Sequence, residues 1–296
     1  NACPKNAITM KSDDLGFIFP QIDEALCIDC ALCKSVCSFQ NDSVLSEPKA
    51  VFAGKTKITD IKKSASGGIF ACIASILIEE GAAVYGAALV KSENGLTPKH
   101  IKAQSKEELK ALLGSKYVQS DTQSAFVQVK ADLNSGKTVL FSGTPCQTDG
   151  LKGYLGKAYE ELYCIDVICH GVPAAQLFSD YQNSLKHGSE IKGYAFRSKE
   201  FSGEMISRIS FENGKEKLIP CNASSYFYLF INGYTYRESC YSCKYAQKGR
   251  SGDITLGDFW GIEKFHPEFN SEDGVSCILI NTDKGRALFE KCKSSI

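Results

Sequence analysis

Four closely spaced cysteines occur in the segment Cys27-Ile28-Asp29-Cys30-Ala31-Leu32-Cys33-Lys34-Ser35-Val36-Cys37. Their spacing, C-x2-C-x2-C-x3-C, is that of bacterial ferredoxins, in which three thiolates of a run bind one cubane iron–sulfur cluster and the fourth binds another. A zinc knuckle usually separates its cysteine pairs by a longer loop, and four crowded cysteines suit disulfides badly. The segment therefore predicts a 4Fe-4S site.

A further cysteine, Cys3, is followed by proline and stands well ahead of this run. A Cys-Pro pair is typical of the end of a ferredoxin motif, so we expect Cys3 to supply the fourth ligand of the cluster. The other cysteines of such a first motif are absent, and we expect the chain to begin inside the ferredoxin-like domain. Cys37 would then serve a second cluster, but it precedes Ser38 instead of proline, so its role stays open.

The composition favours a folded protein of a reducing compartment. The 296 residues include 34 Lys plus Arg and 34 Asp plus Glu, a balance that excludes the basic footprint of nucleic-acid-binding proteins. The 14 cysteines, with a polar start instead of a signal peptide, favour metal binding in the cytoplasm of an anaerobe over a secreted disulfide scaffold. The longest apolar run, residues 68–78, is too short to span a membrane.

Strands alternate with helices after residue 50, which predicts an α/β fold (α+β overall) with a mixed sheet. We divide the chain into a ferredoxin-like 4Fe-4S head, 1–46, and two parts of a larger α/β domain, 47–155 and 156–296. We expect residues 237–261 to be irregular. We predict strands over 7–9, 17–20, 50–54, 82–89, 117–119, 138–142, 162–168, 191–197, 205–211, 216–220 and 275–281. We predict helices over 67–80, 105–113, 121–134, after 146, and over 174–186, 222–232 and 283–292.

Two loops carry candidate cofactor ligands. Ser66-Gly67-Gly68 precedes an apolar helix, whose free N–H groups favour a phosphate. Two glycines ahead of a helix are also often a simple turn, and the G-x-G-x-x-G fingerprint is absent. Gly114-Ser115-Lys116-Tyr117 offers a cation and an aromatic ring, although a solvated lysine beside a packed tyrosine explains that sequence equally well.

Four more cysteines lie in three separate places. Cys146 and Cys169 each follow a predicted strand, so both are expected at the carboxyl edge of the sheet. With the pair Cys240 and Cys243 they provide four thiolates, enough for a second cubane or a zinc ion. The alternatives are a zinc knuckle at Cys240 and Cys243, or a zinc-stapled cysteine transferase with Cys146 as nucleophile and His170 as base. Small core residues are the simplest interpretation of Cys72, Cys164, Cys221, Cys277 and Cys292.

Five motifs in this order resemble those of the coenzyme F420 hydrogenase/dehydrogenase β-subunit family. They are Ser66-Gly67-Gly68, Gly143-Thr144-Pro145-Cys146-Gln147, Cys169-His170-Gly171-Val172-Pro173, Cys240-x-x-Cys243 and Gly252-Asp253-Ile254-Thr255-Leu256-Gly257-Asp258-Phe259-Trp260-Gly261. The resemblance covers nearly the whole chain. It implies an FAD-dependent iron–sulfur oxidoreductase in which electrons pass between 4Fe-4S clusters and FAD, and from FAD to a two-electron substrate such as coenzyme F420 or another organic acceptor.

The resemblance also implies that residues 47–296 form the flavin-binding domain and that individual residues of this domain have defined roles. FAD would be bound by Ser66, Gly67, Gly68, Lys116, Tyr117, Gly143 and Thr144. An inner cluster would be held by Cys146, Cys169, Cys240 and Cys243. The active face would involve Asp258, Trp260 and His170. The expected partners are ferredoxin or another redox protein and the small-molecule substrate, in a chain that could form homo-oligomers. A non-enzymatic electron-transfer subunit is the alternative.

Overall fold

The computed structural model describes residues 2–93, 95–186, 188–199, 205–269 and 273–296. The chain starts with a small head that contains strands β1 (Ile8–Ser12) and β2 (Ile18–Ile22) and the short helix α1 (Leu32–Ser35). The two strands pair in antiparallel fashion, as predicted. Among the described residues up to 46, Ala7 and Phe17 are the buried ones. The head therefore has little apolar core of its own, and a bound cluster would provide one.

The rest of the chain combines strands and helices. In chain order these are β3 (Ala50–Gly54), α2 (Ile69–Glu79), β4 (Ala83–Ser92), β5 (Gly95–Ala103), α3 (Lys106–Leu109), α4 (Gln123–Asn134), β6 (Val139–Gly143), α5 (Pro145–Leu155), β7 (Leu162–Val167), α6 (Ala175–Leu185), β8 (Ile191–Ser198), β9 (Ile206–Phe211), β10 (Glu216–Pro220), α7 (Ser225–Ile231), α8 (Glu238–Tyr241), β11 (Ile254–Asp258), β12 (Ser276–Ile280) and α9 (Asp283–Cys292).

A seven-stranded sheet in the order β3-β12-β11-β7-β6-β4-β5 forms the centre of the fold. The four adjacent strands β11, β7, β6 and β4 are parallel, whereas β12 and β5 run antiparallel to their neighbours. The predicted α/β fold with a mixed sheet is confirmed. Because four parallel strands lie side by side, their carboxyl ends meet at one edge of the sheet, where α/β proteins usually bind ligands.

Helices cover both faces of this sheet. On one face α2 and α9 pack against β4 and β6 through residues such as Ile73, Leu288 and Leu140. On the other face α4 and α5 pack against the same strands through residues such as Val129 and Phe141. Adjacent residues of β6 thus enter opposite cores, as the alternating side-chain direction of a strand requires.

A second, three-stranded sheet in the order β10-β9-β8 packs against α6 and α7. Its core is aromatic, with rings such as those of Phe178, Phe196 and Tyr226 in mutual contact. The predicted strands over 191–197, 205–211 and 216–220 are confirmed here. This small sheet places the end of β8 opposite the edge of the large one.

Three local predictions were wrong. Strand β5 was missed because Pro98 and polar residues interrupt its pattern; as an edge strand it tolerates proline. Residues 117–119 were predicted as a strand but are irregular, since the Gln119 N–H donates to Pro173 outside any sheet. The segment 237–261, predicted as irregular, contains β11 in the middle of the large sheet. None of the helices in the described part of the chain is long and apolar enough to cross a membrane.

The head contacts the rest of the chain, residues 47–296, here called the body. The contact is made by the segment that carries Cys240 and Cys243. Arg237 Nη2 donates to the Ile18 carbonyl at 3.1 Å, and the Arg237 guanidinium lies 4.0 Å from the centre of the Phe19 ring. Further along, Lys244 Nζ donates to the Asn41 carbonyl at 2.9 Å. The two cysteine-bearing regions of the chain are therefore next to each other.

Candidate functional site

A cavity of about 590 Å³ opens at the carboxyl edge of the parallel strands. Its volume lies in the usual range for small-molecule and cofactor sites. Six of the seven predicted FAD-binding residues line it, as do the three residues predicted for the active face. These lining residues are Ser66, Gly68, Lys116, Tyr117, Gly143, Thr144, His170, Asp258 and Trp260.

One end of the cavity is formed by the loop before α2. Ser66 has φ 48° and Gly68 has φ 77°, so the chain turns sharply before the helix begins. No side chain caps α2 at Gly68, and Ile69 and Phe70 of its first turn line the cavity. Free N–H groups at a helix start favour an anion. This end therefore suits a phosphate group.

Gly67 does not line the cavity. Its N–H donates to Ser276 Oγ at 2.8 Å, and a Cβ atom here would lie 2.3 Å from the Gly54 carbonyl oxygen. The position requires glycine because the loop packs directly against β3 and β12. The glycines of this motif were expected to let a cofactor come close to the backbone. At Gly67 the group that comes close is the protein's own backbone.

The Lys116 side chain is half-buried and lines the cavity, with its amine bonded to the backbone. Its Nζ donates to the carbonyl oxygens of Leu113 at 2.7 Å and Ala111 at 3.1 Å. Burial lowers the pKa of Lys116 to about 7. The neighbouring Tyr117 ring stacks on Phe230 with ring centres 4.9 Å apart. Together they give the cavity one wall with a titratable amine and an aromatic surface.

Arg197 was not identified from the sequence. It lies near the end of β8, where Nη1 donates to Asp258 Oδ2 at 2.7 Å, and its guanidinium lies 5.4 Å from the centre of the Trp260 ring. Burial opposes the charge of Arg197, but its interactions with Tyr117 and Asp258 outweigh this and raise its pKa. Trp260 is 72% exposed. An ion pair and an open indole therefore form the rim of the cavity.

His100 is a second lining residue that sequence analysis missed. Its Nε2 is 2.9 Å from the Ser142 carbonyl and its Nδ1 is 2.9 Å from Ser120 Oγ. Burial lowers the pKa of His100 to about 4, so the imidazole is neutral. Gln147 Nε2 donates to Ser120 Oγ at 3.1 Å, and Gln147 Oε1 accepts from the Thr144 N–H at 3.0 Å. This chain of hydrogen bonds fixes the turn between β6 and α5.

The four cysteines of the body converge beside the cavity. Cys146 is in the first turn of α5, 3.1 Å from Thr144 Oγ1, and Cys169 follows β7 and lines the cavity. Burial, together with the neighbouring thiols of Cys146, Cys240 and Cys243, raises the pKa of Cys169 to about 12. Thiols that raise each other's pKa in this way favour a cationic partner, such as iron, that takes them as thiolates.

Backbone N–H groups also donate to these sulfur atoms. The Gly171 N–H bonds to the Cys169 sulfur, and the Val172 N–H bonds to the Cys240 sulfur. Hydrogen bonds to sulfur are a feature of iron–sulfur sites. In the parts of the chain that the structure describes, no three His, Cys, Asp or Glu side chains are arranged around a single ion. The donor set and its N–H bonds fit a cluster, which holds its thiolates farther apart than one ion does.

The cysteine loop of the head has a backbone suited to the same kind of group. Asp29 and Ala31 adopt left-handed conformations, with φ 49° and 56°. Left-handed residues within such a run turn successive N–H groups inward and form an anion-binding concavity that is common at iron–sulfur sites. The Cys3 sulfur already accepts a bond from the Ala7 N–H at 3.3 Å. The backbone of the loop thus suits a negatively charged group, while a cluster bound by Cys27, Cys30, Cys33 and Cys3 and the role of Cys37 stay predictions.

His170 is held away from a role as base for Cys146. Its Nε2 is 3.1 Å from the Ile231 carbonyl, and its ring packs edge-on against Phe230 and Tyr236. Of the five cysteines predicted as core residues, four are buried and Cys277 is half-buried. These positions favour the interpretation that Cys146 acts with the other three cysteines and not with His170.

Comparisons with known proteins identify the family of the chain. The family models "Coenzyme F420 hydrogenase/dehydrogenase, beta subunit" match with their N-terminal part over residues 51–126 and with their C-terminal part over 136–296. A solved structure, the xenon-derivatised F420-reducing [NiFe] hydrogenase complex from Methanosarcina barkeri, is similar with a TM-score of 0.54 and 19% identity. The similarity covers 84% of this chain and 80% of that one, and at this identity it shows a shared fold. A search of curated proteins found no match.

Proposed function

The chain belongs to the coenzyme F420 hydrogenase/dehydrogenase β-subunit family, a family of redox subunits, and we propose that it is an FAD-dependent iron–sulfur oxidoreductase. Electrons would pass between 4Fe-4S clusters and FAD, and from FAD to a two-electron substrate such as coenzyme F420 or another organic acceptor. A ferredoxin or another redox protein would exchange electrons with the head. A reducing cytoplasm is the compartment in which cysteine thiols do not form disulfides.

The observation that carries the proposal is the position of Cys169. This residue belongs to the group of four converging thiols and also lines the cavity. A cluster bound there would be in direct contact with whatever fills the cavity. FAD, when bound, supplies the exchange between one-electron and two-electron chemistry that such a relay requires.

The two ends of the cavity suit different parts of a dinucleotide. The uncapped start of α2 and the Ser66 loop would hold phosphate groups. Lys116 would add a positive charge when protonated, and the Tyr117 and Phe230 rings would exclude water from a planar ring system. Because the neutral His100 and Gln147 fix the turn at Thr144, that wall would stay in place when a ligand binds.

The rim provides a place for the acceptor. Asp258 holds the Arg197 guanidinium at 2.7 Å beside the exposed face of Trp260. A planar acceptor could stack on the indole, and the guanidinium could bind its carbonyl or anionic groups. This open rim favours an enzyme over the alternative of a non-enzymatic electron-transfer subunit, for which a closed flavin face is expected.

Purification under anaerobic conditions tests the proposal. We expect iron, acid-labile sulfide and one bound flavin per chain, and flavin bleaching by a low-potential reductant that is reversed by the right acceptor. Coenzyme F420, NAD and NADP are the first acceptors to screen. A colourless protein that contains zinc and no flavin would overturn the proposal in favour of a zinc-stapled cysteine transferase.

A further inference from the structure

Four buried side-chain polar atoms have no hydrogen-bond partner among the residues that the structure describes. One is Asn281 Oδ1, and the other three, Thr235 Oγ1, Tyr236 OH and Arg237 Nη1, belong to one short segment. Buried polar atoms are nearly always paired, so an unpaired cluster of them calls for a partner that is not part of the polypeptide. The segment ends three positions before Cys240. A group bound by the four thiols is therefore one candidate for the missing partner.

Arg237 is fixed from both sides. Its N–H donates to the Val172 carbonyl at 3.0 Å, and its carbonyl accepts from the Cys240 N–H at 2.7 Å. On the other side, Nη2 donates to the Ile18 carbonyl at 3.1 Å and the guanidinium lies over the Phe19 ring. Its backbone thus belongs to the two cysteine loops of the body, while its guanidinium is oriented by the head.

The charges around Arg237 point the same way. The ionisable groups that interact with Arg237 include Cys240, Asp13 and Cys146. Two of these three residues are predicted ligands of the inner cluster, and the third is in the head. A buried guanidinium N–H without a partner is costly unless an anion receives it. A cluster with four thiolate ligands is such an anion.

We propose that Arg237 donates a hydrogen bond from Nη1 to the inner cluster bound by Cys146, Cys169, Cys240 and Cys243, and that this bond couples head docking to the electron affinity of that cluster. The inference rests on the proposed function. When the head passes one electron to the inner cluster, the negative charge on the inner cluster grows by one and the bond from Arg237 strengthens, with no proton transferred. Arg237 would therefore act as a positioning and tuning residue and favour the reduced cluster.

An EPR-monitored redox titration of the anaerobically reconstituted full chain tests this. In Arg237→Gln we expect the ratio of reduced to oxidised inner cluster at a fixed potential to fall about tenfold or more, the effect of one hydrogen bond to a charged group. Arg237→Lys, which keeps the charge, should restore part of this ratio. Phe19→Ala, which alters only the head side, should lower it about twofold to fivefold through the lost cation–π contact.

Arg208→Gln is the matched control, because Arg208 pairs with Glu216 on β10, in the small sheet. It should leave the titration unchanged. If the ratio of reduced to oxidised inner cluster in Arg237→Gln equals that of the wild type, the inference alone is overturned. If Arg237→Gln loses iron, the same comparison is made with Arg237→Lys. A shift in Arg237→Gln without any shift in Phe19→Ala would overturn the coupling to the head. A wild-type chain without a second cluster would overturn the proposed function as well.

Discussion

Arg197 and Asp258 form an ion pair of 2.7 Å that joins the end of β8 in the small sheet to the end of β11 in the large sheet. The two side chains are only 17% and 25% exposed, so the loss of one partner leaves a partly buried charge. We predict that Asp258→Asn lowers the free energy of unfolding by roughly 1–3 kcal/mol. Thermal unfolding of Asp258→Asn, Arg197→Met and the double variant should show a coupling of about 1 kcal/mol. Strictly additive losses would show that the pair does not hold the sheets together.

Gly171 allows the two cysteine loops of the body to approach each other. It has φ +132°, and a Cβ atom there would lie 2.6 Å from the ring of Tyr236. Gly171→Ala must displace that ring, so we predict a loss of about 2–4 kcal/mol of stability and of inner-cluster iron. Gly156→Ala is the control, since its φ is also positive and nothing lies within 4 Å. That variant should lose only about 1 kcal/mol and no iron. Equal iron contents in both variants would contradict this account of Gly171.

The neutral state of His100 makes the fold sensitive to acid. Its folded pKa of about 4 is below the usual 6.5, so the unfolded chain takes up this proton first as the pH falls. The stability that depends on neutral His100 is present above pH 6.5 and is lost as the pH falls towards 4, by roughly 3 kcal/mol in total. In His100→Gln the melting temperature should fall less between pH 7 and 4.5. The exposed His266 provides the control variant, His266→Gln, and an identical acid sensitivity of both variants and wild type would exclude His100 as the cause.

Lys116 should make flavin binding depend on pH. Because its folded pKa is about 7, the amine is charged below that value and neutral above it. A bound dinucleotide anion favours the charged form, so FAD affinity should weaken as the pH rises above 7, by up to about tenfold per pH unit. Fluorescence titration of the apoprotein between pH 6 and 8.5 measures this. The slope should flatten in Lys116→Met and persist in Lys217→Met, which alters an exposed lysine of β10. A persistent slope in Lys116→Met would assign it to another group.

The sequence predicted most of the large sheet because its strands carry local signals. The strands β6 and β7 are apolar runs separated by the helix α5. The thiols that follow these two strands meet because parallel carboxyl ends share an edge. Strand β11 was missed because it is short and contains Gly257, where a Cβ atom would meet the Ile168 side chain at 2.6 Å. Glycine is required here because β11 packs against Ile168, the residue that follows β7. No local sequence pattern reveals this contact.

Residues that act through distant partners were also missed. Arg197 and its partner Asp258 are 61 positions apart in the sequence, and His100 and its partner Ser142 are 42 positions apart. Each has an ordinary sequence neighbourhood, and its importance follows from the fold that brings the partner close. A charged residue at the end of the apolar strand β8 was the one local signal for Arg197. The Gly67 position is the reverse case, since the nearby backbone already explains the glycine of the motif, and its predicted contact with a cofactor stays a prediction.

The central claim is that Cys146, Cys169, Cys240 and Cys243 hold one inner cluster beside the cavity, separate from the cluster of the head. Iron and acid-labile sulfide analysis of Cys243→Ala, with EPR of the reduced protein, tests it most directly. Cys221→Ala, which removes a buried thiol near the small sheet, is the control. The account predicts that Cys243→Ala loses about half of the iron, about four of eight atoms, and keeps the EPR signal of the head, while Cys221→Ala loses none. An unchanged iron content in Cys243→Ala would contradict the claim.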